Sequence, residues 1–389
     1  MNLLSSDYIP DFYIPTEFFI QDQVLNSAGS IVKKYGSRAV LIATSSDYNY
    51  FESTIQQIAT NLANSDVSCI IFDEIPDEPN TEDIDSAVFF IKKTGCDVVI
   101  GFGGIESMNA AKAISLLINN YLFCEELFDS PKIQTATTLV VIPAYPLFGF
   151  EIVPMLYLTE IHEMRKLIYK NRLIFPRAAI IDPHIATIID DDLTANTAIS
   201  TLALATESVI SKKNNGLINT LALRSIDLVF KNLPIAYRDQ NNIAPRLHIA
   251  EASVMAGMAF SISELSVSLA VAIALATKTS IPIERGMGMI LPHIMEYNLT
   301  TSPGKYVQMS KVMDEDVKDI TVIEAAIKAV EGVRKIEIEV EIPQRLSQFD
   351  IPKNELSKIA DLTMQYPFIE NAPRPLTKNE IETILIAAY

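Results

Sequence analysis

Histidine is scarce in this chain of 389 residues. Only His162, His184, His248 and His293 are present, and each reads as a lone core or surface residue. Cys69, Cys96 and Cys124 are odd in number, widely spaced and set in or beside apolar runs. That pattern speaks against a disulfide framework or a cysteine zinc site and fits a reducing compartment. Positive charge is also short, with 31 Lys and Arg against 48 Asp and Glu, giving a net charge of −17 and a pI near 4.7. Such a surface repels phosphate backbones and anionic headgroups, so neither nucleic acid nor a membrane is an expected partner. No run reaches the ~18 apolar residues of a spanning helix, and Met1 to Tyr13 shows no basic-then-apolar leader pattern. A cytoplasmic globular protein is expected. Glycine, at 13 residues, is about half or less of its usual share.

Apolar residues make up 49% of the chain and mean hydropathy is +0.22, ample for burial, and the length points to two domains. Phe12 to Ile20, broken by Pro15, reads as an edge strand or hairpin. Val24 to Lys34, Phe51 to Leu62 and a segment from Thr81, capped by Thr81 and Asp83, have helical spacing. Between them lie the short strands Ala39 to Ala43, Val67 to Phe72 and Val98 to Gly101, and an acidic loop over Asp73 to Asn80. Thr138 to Pro143 is a further strand, Ala144 to Pro154 a loop of bulky residues, and Leu173 to Asp182 another extended segment. The alternation implies a parallel sheet with crossover helices. From Asp191 onward the segments Leu193 to Ser211, Asn214 to Lys231, Ala244 to Phe260, Ser266 to Thr277 and Met287 to Tyr297 read as packed helices, with two or three amphipathic helices after Pro303. The expected organisation is an α/β N-terminal domain over 1–185 with a Rossmann-like parallel sheet, and an all-α C-terminal domain over 186–389.

The third strand turns through Gly101-Phe102-Gly103-Gly104 into Ile105-Glu106-Ser107-Met108-Asn109-Ala110-Ala111-Lys112. A helix start offers unpaired N–H groups and partial positive charge, and glycines admit an anion close to the backbone. Here Ile105 and Glu106 stand where a phosphate site takes bare backbone and a hydroxyl.

Several strings, in order along nearly the whole chain, resemble the iron-containing (group III) alcohol dehydrogenases, which share the dehydroquinate synthase-like fold. They are Phe72 to Thr81, Ile100 to Lys112, Phe175-Pro176 through Ile181-Asp182-Pro183, Ala250 to Ser261, Leu291 to Asn298 and Asn371 to Thr377. The resemblance implies a nucleotide-binding α/β domain, a helical domain, and metal and substrate in the cleft between them. In the family one carboxylate and three imidazoles hold iron or zinc, which polarises the substrate oxygen while hydride passes to or from NAD(P).

The family's T-A-A-T-G-M-D-A-L-x-H-A-x-E segment corresponds to Thr194 to Glu207, with Ser200 at the Asp position and Leu204 at the His position. Leu269 stands at the third ligand position, with Ile273 at that helix's second His, and Ile283 at the fourth. The family's G-x-G-G-G-S-x-x-D-x-A-K turn keeps Gly101, Gly103, Gly104 and Lys112, has Asn109 for Asp, and gains Ile105 and Glu106. Its P-T-T-A-G-T-G-S-E loop becomes Pro143 to Glu151, where Tyr145, Leu147, Phe148 and Phe150 fill space the dinucleotide needs.

These departures lead to the expectation of no iron or zinc and no cofactor, with Gly103, Gly104, Asn109 and Lys112 as vestigial cofactor positions, and of no assigned catalytic residue. The leading expectation is a pseudoenzyme with a binding, regulatory or subunit role. The alternative is an NAD(P)-dependent oxidoreductase of alcohol dehydrogenase type with relocated, metal-independent chemistry, for which Glu106, Glu151, Lys112, Glu264, Lys278 and Glu284 are candidates. A third is NAD(P) binding without metal, as a sensor. The family also implies a homo-oligomer or a family partner subunit.

Overall fold

The computed structural model describes residues 12–129, 133–161 and 165–389. His162, and the chain before Phe12, lie outside them. The described strands are β1 (Glu17–Ile20), β2 (Arg38–Thr44), β3 (Ser68–Ile75), β4 (Val98–Gly103), β5 (Thr138–Pro143), β6 (Met155–Glu160), β7 (Arg165–Lys170) and β8 (Ala178–Ile181). Six form one parallel sheet in the order β1-β8-β5-β4-β2-β3, while β6 and β7 pair antiparallel apart from it.

Five helices accompany the strands: α1 (Ala28–Lys33), α2 (Ser45–Tyr50), α3 (Glu52–Asn64), α4 (Thr81–Ile91) and α5 (Ile105–Leu117). Side chains alternate across each strand, so Val40, Ile42 and Val99 join the core under α4 and α5, while Ala39, Leu41 and Ile100 join the one under α1 and α3. Burial on both faces explains why these strands are continuous apolar runs. Every residue of α5 except Glu106 is buried.

The rest is helical: α6 (Asp191–Ile210), α7 (Gly216–Arg238), α8 (Ile243–Ser263), α9 (Val267–Lys278), α10 (Ile283–Asn298), α11 (Pro303–Val312), α12 (Val322–Glu339), α13 (Leu356–Thr363) and α14 (Lys378–Ala388). Helix α6 is buried almost throughout and packs on α7, α8 and α10. One continuous core runs from the α4–α5 face of the sheet into these helices. The parallel-sheet part and the helical part therefore meet through apolar packing. No single helix among the described residues is long and apolar enough to cross a membrane.

The structure differs from the sequence expectations at several points. Strand β3 continues through Asp73 to Ile75, because a register shift between Ile42 and Thr44 lets Thr44 pair with Ile75. Helix α4 is capped by Asn80, whose side chain accepts from Glu82 and Asp83 N–H groups, while Asp83 returns the contact to Asn80. Four helices follow Pro303, not two or three. The β6–β7 pair was not foreseen at all.

Candidate functional site

The glycine turn connects β4 to α5, with Gly103 in the left-handed region at φ +120 and Gly104 as the helix cap. A Cβ on Gly103 would lie 2.1 Å from Asp47 Oδ2, and one on Gly104 2.4 Å from the Tyr145 hydroxyl. Asp47, on α2, accepts from the Gly104 N–H at 2.8 Å and from Ser107 Oγ at 2.5 Å. Ser107 in turn accepts from the Thr44 N–H at 2.8 Å. The turn is therefore an anion cradle in backbone terms, and its occupant is the chain's own carboxylate. Burial raises the Asp47 pKa, against the hydrogen bonds from Ser107, Gly104 and Thr44 that lower it.

One turn into α5, Glu106 projects toward β7, where Lys166 Nζ lies 3.8 Å from Oε1. Asn109 Nδ2 donates to Glu106 Oε2 at 3.4 Å, and Asn109 Oδ1 accepts from the Tyr157 N–H of β6 at 3.0 Å. Burial pushes the Glu106 carboxyl up to about 7; Lys166 and Asn109 oppose the rise, and the Glu284 and Glu78 carboxylates add to it. Glu284, in the first turn of α10, is buried and raised for the same reason. Burial lifts the Tyr145 hydroxyl well above the usual tyrosine range, and the Asp47, Glu284 and Glu106 carboxylates add to the rise. Lys166 thus pairs with Glu106, and the Glu284 carboxylate adds to the pressure on both Glu106 and Tyr145 to stay protonated.

Lys112 faces the other way from α5. Its ammonium donates to the Phe150 and Met155 carbonyls at 2.6 and 2.9 Å and lies 4.2 Å from the Phe150 ring centroid. Burial brings its pKa down to about 7, with Glu151 opposing. Glu151 accepts from Ser253 Oγ at 3.0 Å, and Ser253 accepts from the Gly149 N–H at 2.8 Å. Gly149, at φ +87, lets this loop touch α8 backbone to backbone, since a Cβ there would lie 2.3 Å from Gly257 Cα. Leu147, Phe148 and Phe150 are all buried in the core.

At the four ligand positions, Ser200 Oγ donates to the Asn196 and Glu284 carbonyls, each at 2.8 Å. Leu204, Leu269 and Ile283 are buried core residues. Ser200 is thereby brought to Ile283 and Glu284. Among the described residues no group of three or more His, Cys, Asp or Glu is placed to hold a metal. His184 lies 3.6 Å from Asp22, His248 pairs with Asn232, and His293 sits beside Glu296. The residues at the four positions do not fit an iron or zinc ion as ligands.

Of the six groups singled out in the sequence, Glu106 and Glu284 share one cluster and Glu151 and Lys112 another. Glu264 lies in a separate groove, and Lys278 closes α9 away from both. Asp47 and Lys166 were missed. Asp47 sits on a six-residue helix and Lys166 on the unforeseen β7, so neither carried a local signal.

The family model described as "Iron-containing alcohol dehydrogenase" matches residues 15–183, and that for the "Fe-containing alcohol dehydrogenase family, C-terminal" matches 194–389. A 1,3-propanediol dehydrogenase from Citrobacter freundii is 23% identical over 384 residues, covering 97% of this chain and 98% of that protein. The crystal structure of a 1,3-propanediol oxidoreductase superposes with a TM-score of 0.94 at 22% identity, covering 98% of this chain and 100% of that one. A sulfoacetaldehyde reductase from Bifidobacterium kashiwanohense, solved in complex with NAD+, gives a TM-score of 0.85 at 20% identity, covering 98% and 99%. These findings correct the expectation of no iron or zinc and no nicotinamide cofactor, because the matching family is described as iron-containing and the structural neighbours include the reductase solved with NAD+ and an NADH-dependent butanol dehydrogenase from Thermotoga maritima. That expectation rested on a few positions of one chain, which describe a local donor set and not what the whole fold accommodates.

Proposed function

The chain belongs to the iron-containing alcohol dehydrogenase family, and from that premise we propose that it is an oxidoreductase acting between alcohol and carbonyl, with Glu106 as the group that moves the proton. A nicotinamide, when bound, supplies the hydride chemistry. The backbone at Gly103 and Gly104 suits a pyrophosphate once Asp47 releases the Gly104 N–H. Glu106 would take the hydroxyl proton of an alcohol, or return it to a carbonyl oxygen. Lys166 steadies its ionised form, and Asn109 fixes one carboxyl oxygen. The observation that carries this reading is the placement of the Glu106 carboxyl at the glycine turn between Lys166 and Asn109; burial pushes it up to about 7, where a general acid–base group serves both directions.

The test is turnover of NAD+ and NADP+ with 1-propanol and 1,3-propanediol across the pH range. The expected result is a rate profile that breaks near 7 and a loss of about 100-fold in Glu106→Gln. An unchanged rate in Glu106→Gln would contradict it. A second reading, a silent family member with a binding or subunit role, is favoured by Ser200, Leu204, Leu269 and Ile283, and absence of turnover with either nucleotide would select it. We also propose a cytoplasmic location, supported by the three free cysteines, and a homo-oligomer.

A further inference from the structure

At the end of α4 the chain leaves aromatic rings exposed to water. Phe89, Phe90, Tyr121 and Phe123 are 62, 56, 102 and 69% exposed, and they are four of the seven exposed aromatic side chains among the described residues. They gather in one place. The Phe89 and Phe90 rings lie 5.7 Å apart, and Lys93 Nζ sits 3.9 Å from the Phe89 centroid. Lys92 Nζ donates to the Asn120 carbonyl at 2.9 Å and lies 5.6 Å from the Tyr121 centroid. Cys124, next to Phe123, donates its N–H to Asp85 Oδ1 at 2.8 Å. Asp85, Phe89 and Lys92 form one stripe along α4, so the loop after α5 is clasped against that helix and its rings are held in position.

Area and charge together say what fits this face. An aromatic side chain covers about 150–250 Å², so the four leave about 500–600 Å² of apolar surface, at the top of what a monomer exposes. Pairing the face with a copy of itself buries about 1,100 Å² from the rings alone, close to the ~1,200 Å² at which specific interfaces begin. The exposed acids Glu125 and Glu126 stand toward the start of α4, because Cys124 reaches Asp85, while Lys92 and Lys93 stand at its end. The two poles are about 10 Å apart along the helix. A twofold axis through the rings therefore sets one copy's lysines against the other's glutamates, the self-complementarity that a contact between identical surfaces needs. The same acids, on a chain of net charge −17, turn the face away from anionic lipid.

We propose that the aromatic face at the end of α4 and the loop after α5 pairs with the same face of a second copy of this chain. The rings of Phe89, Phe90, Tyr121 and Phe123 form the dry centre, and the lysine and glutamate poles close the rim and fix the register. The face is separate from the Glu106 cluster: it lies at the far end of α5 from Glu106, about 17 Å along the helix. The inference rests on the homo-oligomer reading and gives it a surface, while its readout is independent of nucleotide and turnover.

Sedimentation velocity and native mass spectrometry of the full chain test it, with thermal melts confirming that each variant is folded. Wild type at about 10 μM is expected as a dimer or a larger even-numbered assembly. Phe90→Glu and Tyr121→Glu, at exposed positions where folding does not depend on the ring, should each halve that mass by raising the dissociation constant at least about 30-fold. Lys93→Glu and Glu125→Lys should each weaken the pairing about tenfold, and an equimolar mixture of these two variants should regain wild-type affinity, since opposite charges then face each other throughout. An assembly whose mass is the same in wild type and both ring variants would overturn the assigned face and leave the homo-oligomer standing. A monomeric wild type would overturn both, and if that monomer binds phosphatidylglycerol vesicles through the rings, the face belongs to a lipid surface instead. No recovery in the mixture would overturn the twofold pairing.

Discussion

The glycine turn at the head of α5 and the four helix positions Ser200, Leu204, Leu269 and Ile283 both depart from the family pattern, but in opposite chemical directions. At the turn the family's hydroxyl position has become Glu106, which found partners within the chain in Lys166 and Asn109, and Asp47 accepts from the Gly104 N–H and from Ser107. At the helix positions, polar groups have given way to carbon, apart from a serine tied to two carbonyls. The first region keeps groups that can exchange protons. The second holds only packing. The ionisable cluster around Glu106 draws on both sides of the seam between sheet and helices, since α10 contributes Glu284 to it.

The largest effect that can break the comparison is expected at Lys112→Ala. It strips the donor from the Phe150 and Met155 carbonyls and leaves a cavity, so unfolding free energy should drop by about 3–5 kcal/mol in denaturant titrations. A loss under about 1 kcal/mol would mean those carbonyls have another partner. On the helix side, Leu269→Ala removes only carbon from a fully buried site, and about 3 kcal/mol should be lost at every pH. A pH-dependent loss there would contradict the division into ionisable and packed halves.

Glu106→Gln sharpens the comparison by its sign. Folded Glu106 holds its proton up to about 7, against the ordinary value of 4.5. The native state thus binds more protons between these values, and stability falls as pH rises through that window. The variant should flatten this slope and be more stable than wild type by about 1–3 kcal/mol at pH 8, as seen in thermal melts. Smallest is Asp47→Ala, which frees the Gly104 N–H and removes a competing carboxylate. NADH affinity by calorimetry should rise about tenfold. Unchanged affinity would mean that the turn is not where the dinucleotide sits.

Much of this architecture was legible in the sequence because burial on two faces writes continuous apolar strands, and helices after Asp191 repeat small and apolar residues. The β6–β7 pair escaped for a physical reason. β6 is buried along nearly its whole length, so Met155 to Glu160 lacks alternation, and β7 carries Arg165, Lys166 and Lys170, which read as surface. The same gap hid half of the site. Glu106 and Glu284 were visible as unusual residues at familiar positions, but a carboxyl's proton affinity depends on what folds over it, and Lys166 arrives from a strand some sixty residues away. Asp47 was hidden likewise, since its role comes from a contact with a backbone N–H that no side-chain pattern encodes.

The central claim, that Glu106 is a proton-exchanging group of the cleft, is tested most directly by a carboxyl carbon-13 NMR titration of glutamate-labelled protein, with the resonance assigned by its loss in Glu106→Gln. The account predicts a midpoint near 7. A midpoint at the ordinary glutamate value of 4.5 would contradict it.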